Sequence, residues 1–228
     1  MEQRPKTSAT IDKKKILIVD DHPILRKGLS MLINQEPDLT VGGEAEDARK
    51  ALEMIETMQP GLVIVDISLP GVDGVELLKN IKLRYGDLPT LVVSMHDEAL
   101  FAERALRAGA RGYIMKQEAV ENLLVAIRRV LAGEIFLSSR IATKMLEKLV
   151  DGDAKTTASP LGLLSDRELT VFHLIGQGFG TRQIAEKLHL SVKTVESYRS
   201  HIKEKLKLTS GTDLLAFAIR WTQSNSCS

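Results

Sequence analysis

Between Lys15 and about Ala132, short runs of β-branched and aliphatic residues alternate with segments of helical period, and this alternation is the strongest constraint on the fold. Ile16-Leu17-Ile18-Val19, Leu62-Val63-Ile64-Val65 and Leu91-Val92-Val93 are apolar at every position, as strands buried on both faces are. Leu39-Thr40-Val41 and Gly112-Tyr113-Ile114-Met115 read as two further strands, the second ended by Lys116. Helical segments at about 23–35, 46–58, 73–85, 98–108 and 118–132 complete five βα units. The pattern predicts an α/β doubly wound, five-stranded parallel sheet with crossover helices.

The rest of the chain changes character. Residues 138–150 have the period of one more amphipathic helix, and Asp151 to Pro160 are small, polar and aperiodic, as a linker is. After Leu164 no strand pattern returns. Ser165 with Glu168 and Ser210 with Asp213 form capping boxes, and Thr181 and Ser191 are placed as N-caps, which predicts a small all-α domain of four short helices. The expected organisation is an N-terminal tail 1–13, an α/β domain 14–134, a connecting helix 135–150, a flexible linker 151–161 and a helical domain 162–228.

Composition narrows the function classes. Hydrophobic residues at 43% and charged ones at 27% suit a globular chain and exclude disordered and fibrous classes. The single cysteine, Cys227, excludes internal disulfides and Cys-based zinc sites. No run reaches the roughly 18 apolar residues of a membrane span, and Met1 to Asp12 lack the apolar stretch of a signal peptide, so a cytoplasmic protein without membrane contact is expected. Residues 165–228 hold 9 Lys and Arg against 6 Asp and Glu, leaving 22 against 24 for residues 1–164. The helical domain is the basic one.

In open α/β sheets the ligand site lies outside the carboxyl ends of the strands. There the sequence places Asp20 and Asp21 after the first strand, Asp66 after the third, Ser94 after the fourth and Lys116 after the fifth. Packed carboxylates repel unless a cation offsets them, and an oxygen-only set suits Mg²⁺, with Mn²⁺ as the other candidate. A carboxylate oxygen of Asp66 could then attack phosphorus in line, with Lys116 and Ser94 offsetting or bonding the oxygens of the acyl phosphate. Singly, Asp21 and Ser94 could merely cap the helices that follow them, and Lys116 could be a solvated strand end. Five such side chains on the ends of one sheet make the joint reading the stronger.

The segments Ile16-Leu17-Ile18-Val19-Asp20-Asp21-His22-Pro23, Val65-Asp66-Ile67-Ser68-Leu69-Pro70-Gly71-Val72-Asp73-Gly74, Ser94-Met95-His96 and Gly109 to Lys116 resemble the receiver domains of two-component response regulators, which have a flavodoxin-like fold. The resemblance covers about residues 14–134. It implies that Asp66 is phosphorylated by a sensor histidine kinase and that Asp20 and Asp21 hold Mg²⁺ with Asp66 and the backbone carbonyl of Ser68. It further implies that Ser94 and Tyr113 form a switch, that Lys116 bonds the phosphoryl oxygens, and that Ser68 and His96 tune dephosphorylation.

In the helical domain, Ser191 to Leu208 carries apolar residues at 195, 202 and 206, with Tyr198 or the stem of Arg199 filling the gap. The opposite face holds Lys193, Glu196, Ser197, Ser200, Lys203 and Lys207, and suits a recognition helix in the major groove of double-stranded DNA. With the segment at about 182–188 and the His189-Leu190 connection it makes a helix-turn-helix. Leu164 to Glu168, Gln183 to Leu188 and Ser191 to Glu196 resemble the LuxR-type output domain of NarL/FixJ response regulators, over about residues 162–223. That resemblance puts Lys193, Glu196, Ser197, Ser200 and Lys203 against the groove and Thr181, Tyr198 and Arg199 on the DNA backbone. Tyr198 stands where many members have His, and Lys207 where many have Gly.

Gly176-Gln177-Gly178-Phe179-Gly180 follows a helix rather than a strand, so it reads as a helix-ending turn and not a phosphate loop. His173, His189 and His201 lack ligand spacing and read as helix-surface or groove residues. The reading is a phosphorylation-controlled transcription regulator, not an enzyme, that forms a homodimer when phosphorylated. Two alternatives stand beside it: a Mg²⁺-dependent phosphatase, which needs a carboxylate where Ser68 stands, and a DNA binder whose first domain only dimerises. For coupling, the expectation is that the receiver hides the groove-facing helix, and that phosphorylation frees it and lets Leu214, Leu215, Ala218 and Trp221 pair two output domains.

Overall fold

The computed structural model describes residues 13–150 and 160–226. The N-terminal tail up to Asp12, residues 151–159 of the expected linker, and Cys227 lie outside the described residues.

Five strands, β1 (Lys14–Val19), β2 (Leu39–Ala45), β3 (Leu62–Val65), β4 (Thr90–Ser94) and β5 (Gly112–Met115), form one parallel sheet in the order β2-β1-β3-β4-β5. The helices α1 (Pro23–Asn34), α2 (Ala48–Met58), α3 (Gly74–Tyr85), α4 (Glu98–Ala108) and α5 (Ala119–Leu131) connect and cover them. β3 and β4 are buried at every position, because apolar layers lie on both faces. Leu17, Val19, Val63, Val65 and Val92 point into one layer, and Ile16, Ile18, Leu62, Ile64, Leu91 and Val93 into the other. Strand order reverses between β1 and β3, so a crevice opens at their carboxyl ends, where Asp20 and Asp66 sit.

The connecting helix α6 (Ser139–Val150) is followed by a short 3₁₀ turn, Pro160–Leu163, and by α7 (Asp166–Gly176), α8 (Thr181–Lys187), α9 (Val192–Lys205) and α10 (Gly211–Ser226). Pro160 and Leu161, expected in the linker, belong to that turn, and Leu161 is buried. Ser165 caps α7 by accepting from Glu168 N–H, while the Glu168 side chain accepts from Ser165 N–H. Ser191 caps α9, and Ser210 and Asp213 bond reciprocally at the start of α10. Thr181 is not an N-cap: α8 begins one residue earlier, with Gly180 as cap and the Gln183 side chain accepting from its N–H.

α7, α8 and α9 end alike. Phe179, Leu190 and Leu208 N–H groups each reach back to a carbonyl of the last turn, at Leu174, Ala185 and Lys203. The residue before each of them, Gly178, His189 and Lys207, takes positive φ at 88°, 52° and 54°. Glycine meets that demand freely at the first, but His and Lys meet it with some strain. Phe172 of α7 packs against Phe217 and Trp221 of α10. Leu214 and Ala218 of α10 are fully buried in this core, and of the four residues expected to pair two domains Leu215 alone is exposed. An amphipathic helix spends its apolar stripe inside its own domain first.

Candidate functional site

The crevice brings together the side chains expected at the strand ends. Asp20 and Asp66 follow β1 and β3, whose register sets Val19 against Val65. Asp66 N–H donates to Val19 O, fixing the two carboxylates side by side. Gly74 opens α3 directly beneath them, and a β-carbon there would overlap the Asp66 carbonyl oxygen. Lys116, the first residue after β5, reaches across to both acids, with Nζ 2.7 Å from Asp20 Oδ2 and 2.8 Å from Asp66 Oδ2. Burial pushes the Lys116 ammonium pKa down, but the two carboxylates outweigh it and hold it above the usual value. Burial and the neighbouring Asp66 push the Asp20 carboxyl up, against the opposing pull of Lys116.

Asp21 and Ser94 do not cap helices. His22 is the N-cap residue of α1 and Asp97 caps α4, which leaves Asp21 and Ser94 in the pocket. Ser94 is fully buried, and its Oγ accepts from His96 N–H. Tyr113, also buried, donates its hydroxyl to the His96 carbonyl at 2.9 Å, and burial pushes its phenol pKa well up. The His96 ring lies 2.8 Å from Ser68 Oγ and stacks on Phe101. Burial lowers the His96 pKa to about 4.

Ligand atoms of Asp20, Asp21, His22 and Asp66 all lie within 4.8 Å of one another. Asp66 Oδ1 is buried without a hydrogen-bond partner. An open carboxylate oxygen beside a carboxyl raised by burial and by its charged neighbour is what a hard divalent cation relieves, so these residues fit Mg²⁺ or Mn²⁺. His22 was missed in the sequence. Its Nδ1 lies 2.6 Å from Asp21 Oδ1 and 3.1 Å from Asp20 Oδ1, and only its place beside two acids signalled this.

In the helical domain Val195 and Ile202 of α9 are buried, and Tyr198, rather than Arg199, packs on the core between them. Lys193, Glu196, Ser197 and Ser200 are exposed, while Lys203, Arg199, Tyr198 and Thr181 are half-buried. The face expected to meet DNA is therefore open, and the expectation that the receiver hides it is wrong. The first domain instead meets α7 and the turn after α8. His173, expected on a helix surface, is buried with its ring 6.0 Å from that of His96. His189 Nε2 lies 3.4 Å from Asp21 Oδ2.

Residues 16–128 match the family described as response regulator receiver domain, and residues 162–218 match the bacterial regulatory proteins of the luxR family. The oxygen regulatory protein NreC of Staphylococcus carnosus is 37% identical over 210 residues, which is 90% of this chain and 97% of NreC. RcsB of Salmonella enterica serovar Typhimurium, solved bound to promoter rprA with the phosphomimetic BeF3⁻, aligns with 27% identity and a TM-score of 0.59 over 91% of this chain and 98% of RcsB. A structure of two RcsB dimers bound to two parallel DNAs aligns with 28% identity and a TM-score of 0.55, over 90% and 98% of the respective chains. Among the described residues no helix is long and apolar enough to cross a membrane.

Proposed function

The chain belongs to the two-component response regulators in which a receiver domain is joined to a LuxR-type DNA-binding domain, and from that premise we propose that Asp66 is the phosphoacceptor through which a sensor histidine kinase controls its binding to DNA. The observation that carries this reading is Asp66 itself: Lys116 occupies Oδ2, and Oδ1 is left without a partner.

Asp66 Oδ1 is the attacking oxygen. It forms the new bond to phosphorus in line with the breaking bond to the donor, which leaves with the bonding pair. Asp20, Asp21, Asp66 and the Ser68 carbonyl would hold Mg²⁺, or Mn²⁺ in its place. When bound, such a cation would supply positive charge against the transferring phosphoryl oxygens. Lys116 exchanges its bond to a carboxylate for one to a phosphoryl oxygen, since its charge already faces Asp66. Ser94 stands ready to bond a second such oxygen. Its movement passes through His96 N–H, and the same His96 holds the Tyr113 hydroxyl by its carbonyl. These links support the reading of Ser94 and Tyr113 as the switch.

In the output domain, Lys193, Glu196, Ser197, Ser200 and Lys203 meet base edges in the major groove, and Thr181, Tyr198 and Arg199 hold the DNA backbone. The exposure of Lys193, Glu196, Ser197 and Ser200 along one side of α9 supports this. The protein acts in the cytoplasm as a homodimer once phosphorylated. Light scattering and operator titration before and after phosphorylation test the control step. The expected outcome is a doubling of mass with tighter operator binding, whereas unchanged mass and affinity at full phosphorylation would refute it.

A further inference from the structure

The DNA-binding domain touches three of the four loops that border the phosphorylation pocket. After β3, Arg167 Nη2 donates to the carbonyls of Leu69 and Gly71, both at 2.9 Å, and its Nε lies 3.6 Å from Asp73. After β1, His189 meets Asp21, and after β4, His173 meets His96. A clamp beside the pocket fixes these contacts. Arg104 of α4 donates to Leu161 O, Leu164 O and Asp166 Oδ1 at 2.8, 2.8 and 2.9 Å, and Lys79 of α3 donates to Asp166 Oδ2. Glu168 to Ile175 of α7 are buried on every side, one flank in their own domain and the other toward the receiver. With the domains so docked, Asp66 is 1% exposed and its open oxygen is buried.

An in-line attack needs the donor phosphorus within about 3–3.5 Å of that oxygen, and a buried oxygen offers no such approach. We propose that the DNA-binding domain is the lid of the phosphorylation pocket: docked through Arg167, His189 and the Arg104–Asp166 clamp it shuts phosphodonors out, and its departure admits them. The recognition face stays exposed while the pocket is closed, so what docking controls is access to Asp66. The apparent phosphorylation rate then scales with the undocked fraction of the protein.

This inference rests on Asp66 being the phosphoacceptor, and the test separates the two. Acyl-phosphate formation is followed on the full chain with Mg²⁺ and acetyl phosphate, for wild type, Arg167→Ala and Arg104→Ala, with circular dichroism as the check on folding. Each variant loses two or three hydrogen bonds of the docked state and none within the pocket, so the rate should rise about fivefold to tenfold. Amide exchange in residues 67–73 should rise with it. Arg104→Ala removes the clamp from the receiver side and serves should Arg167→Ala unfold the output domain. Equal rates in all three chains overturn the lid, whereas no acyl phosphate in any of them overturns the assignment of Asp66 instead.

Discussion

Lys116 Nζ lies 2.8 Å from Asp66 Oδ2 and 2.7 Å from Asp20 Oδ2, so one buried ammonium offsets two buried carboxylates. Removing it leaves like charges facing each other in a dry crevice. Lys116→Ala should therefore lose about 3 kcal/mol of stability at neutral pH. Mg²⁺ should restore more stability to the variant than to wild type, because it replaces the missing charge. Urea melts with and without Mg²⁺ measure both effects, and equal Mg²⁺ responses would show that the ammonium does not share the cation's place. The variant should still accept some phosphoryl group but respond weakly to a phosphate mimic.

His96 makes stability fall in mild acid. Burial lowers its pKa to about 4 in the folded chain, from a usual value of 6.5, so the unfolded chain binds the proton first as pH drops. Stability is complete above about pH 6.5 and declines toward pH 4, by up to about 3 kcal/mol. His173, also lowered by burial, adds in the same direction. Urea midpoints at pH 7.5 and 5 should show a smaller drop for His96→Gln than for wild type. An identical drop in both would place the titration elsewhere.

Lys207 closes α9 at a φ of 54°, the conformation that Gly178 adopts without cost after α7. Lys207→Gly should stabilise the output domain by about 0.5–1 kcal/mol, the gain from relieved strain exceeding the added freedom of the unfolded chain. Thermal melting reads this directly. A lower Tm would mean that the lysine side chain has a contact worth more than the strain.

DNA readout should divide along α9. Glu196 is exposed near its N-terminus and Arg199 is half-buried on the flank. Glu196→Ala should relax preference at one operator position by about 1–3 kcal/mol. Arg199→Ala should weaken every sequence alike and reduce the salt slope by about 0.9. Titrations against operator and random DNA at several salt concentrations distinguish them. Equal losses on both DNAs for Glu196→Ala would contradict a base contact.

The strands and helices were legible because unbroken apolar runs and helical periods alternate, and the pocket because sheet topology alone aligns strand ends. β2 was read four residues too short, from its glycines on: Gly42 and Gly43 carry no side chain to show the period, and Met58 and Met54 fill the space beside them. The junction between domains was not legible. Arg104 with Leu164 and Arg167 with Leu69 join residues 60 and 98 positions apart, and no local period encodes such pairs. One signal was present all the same. Leu169 to Ile175 carries only Thr170 and His173 as polar residues, and a helix with so little polar surface suits being covered on more than one side. Burial of His173 and the open recognition face follow from that.

The most direct measurement is mass spectrometry of the full chain after incubation with Mg²⁺ and a small phosphodonor. One phosphoryl group should appear on Asp66 in wild type. None should appear in Asp66→Asn, whose amide keeps the shape of the carboxylate but cannot attack phosphorus. Normal incorporation in Asp66→Asn, or a phosphoryl group mapped to another residue of the wild type, contradicts the account.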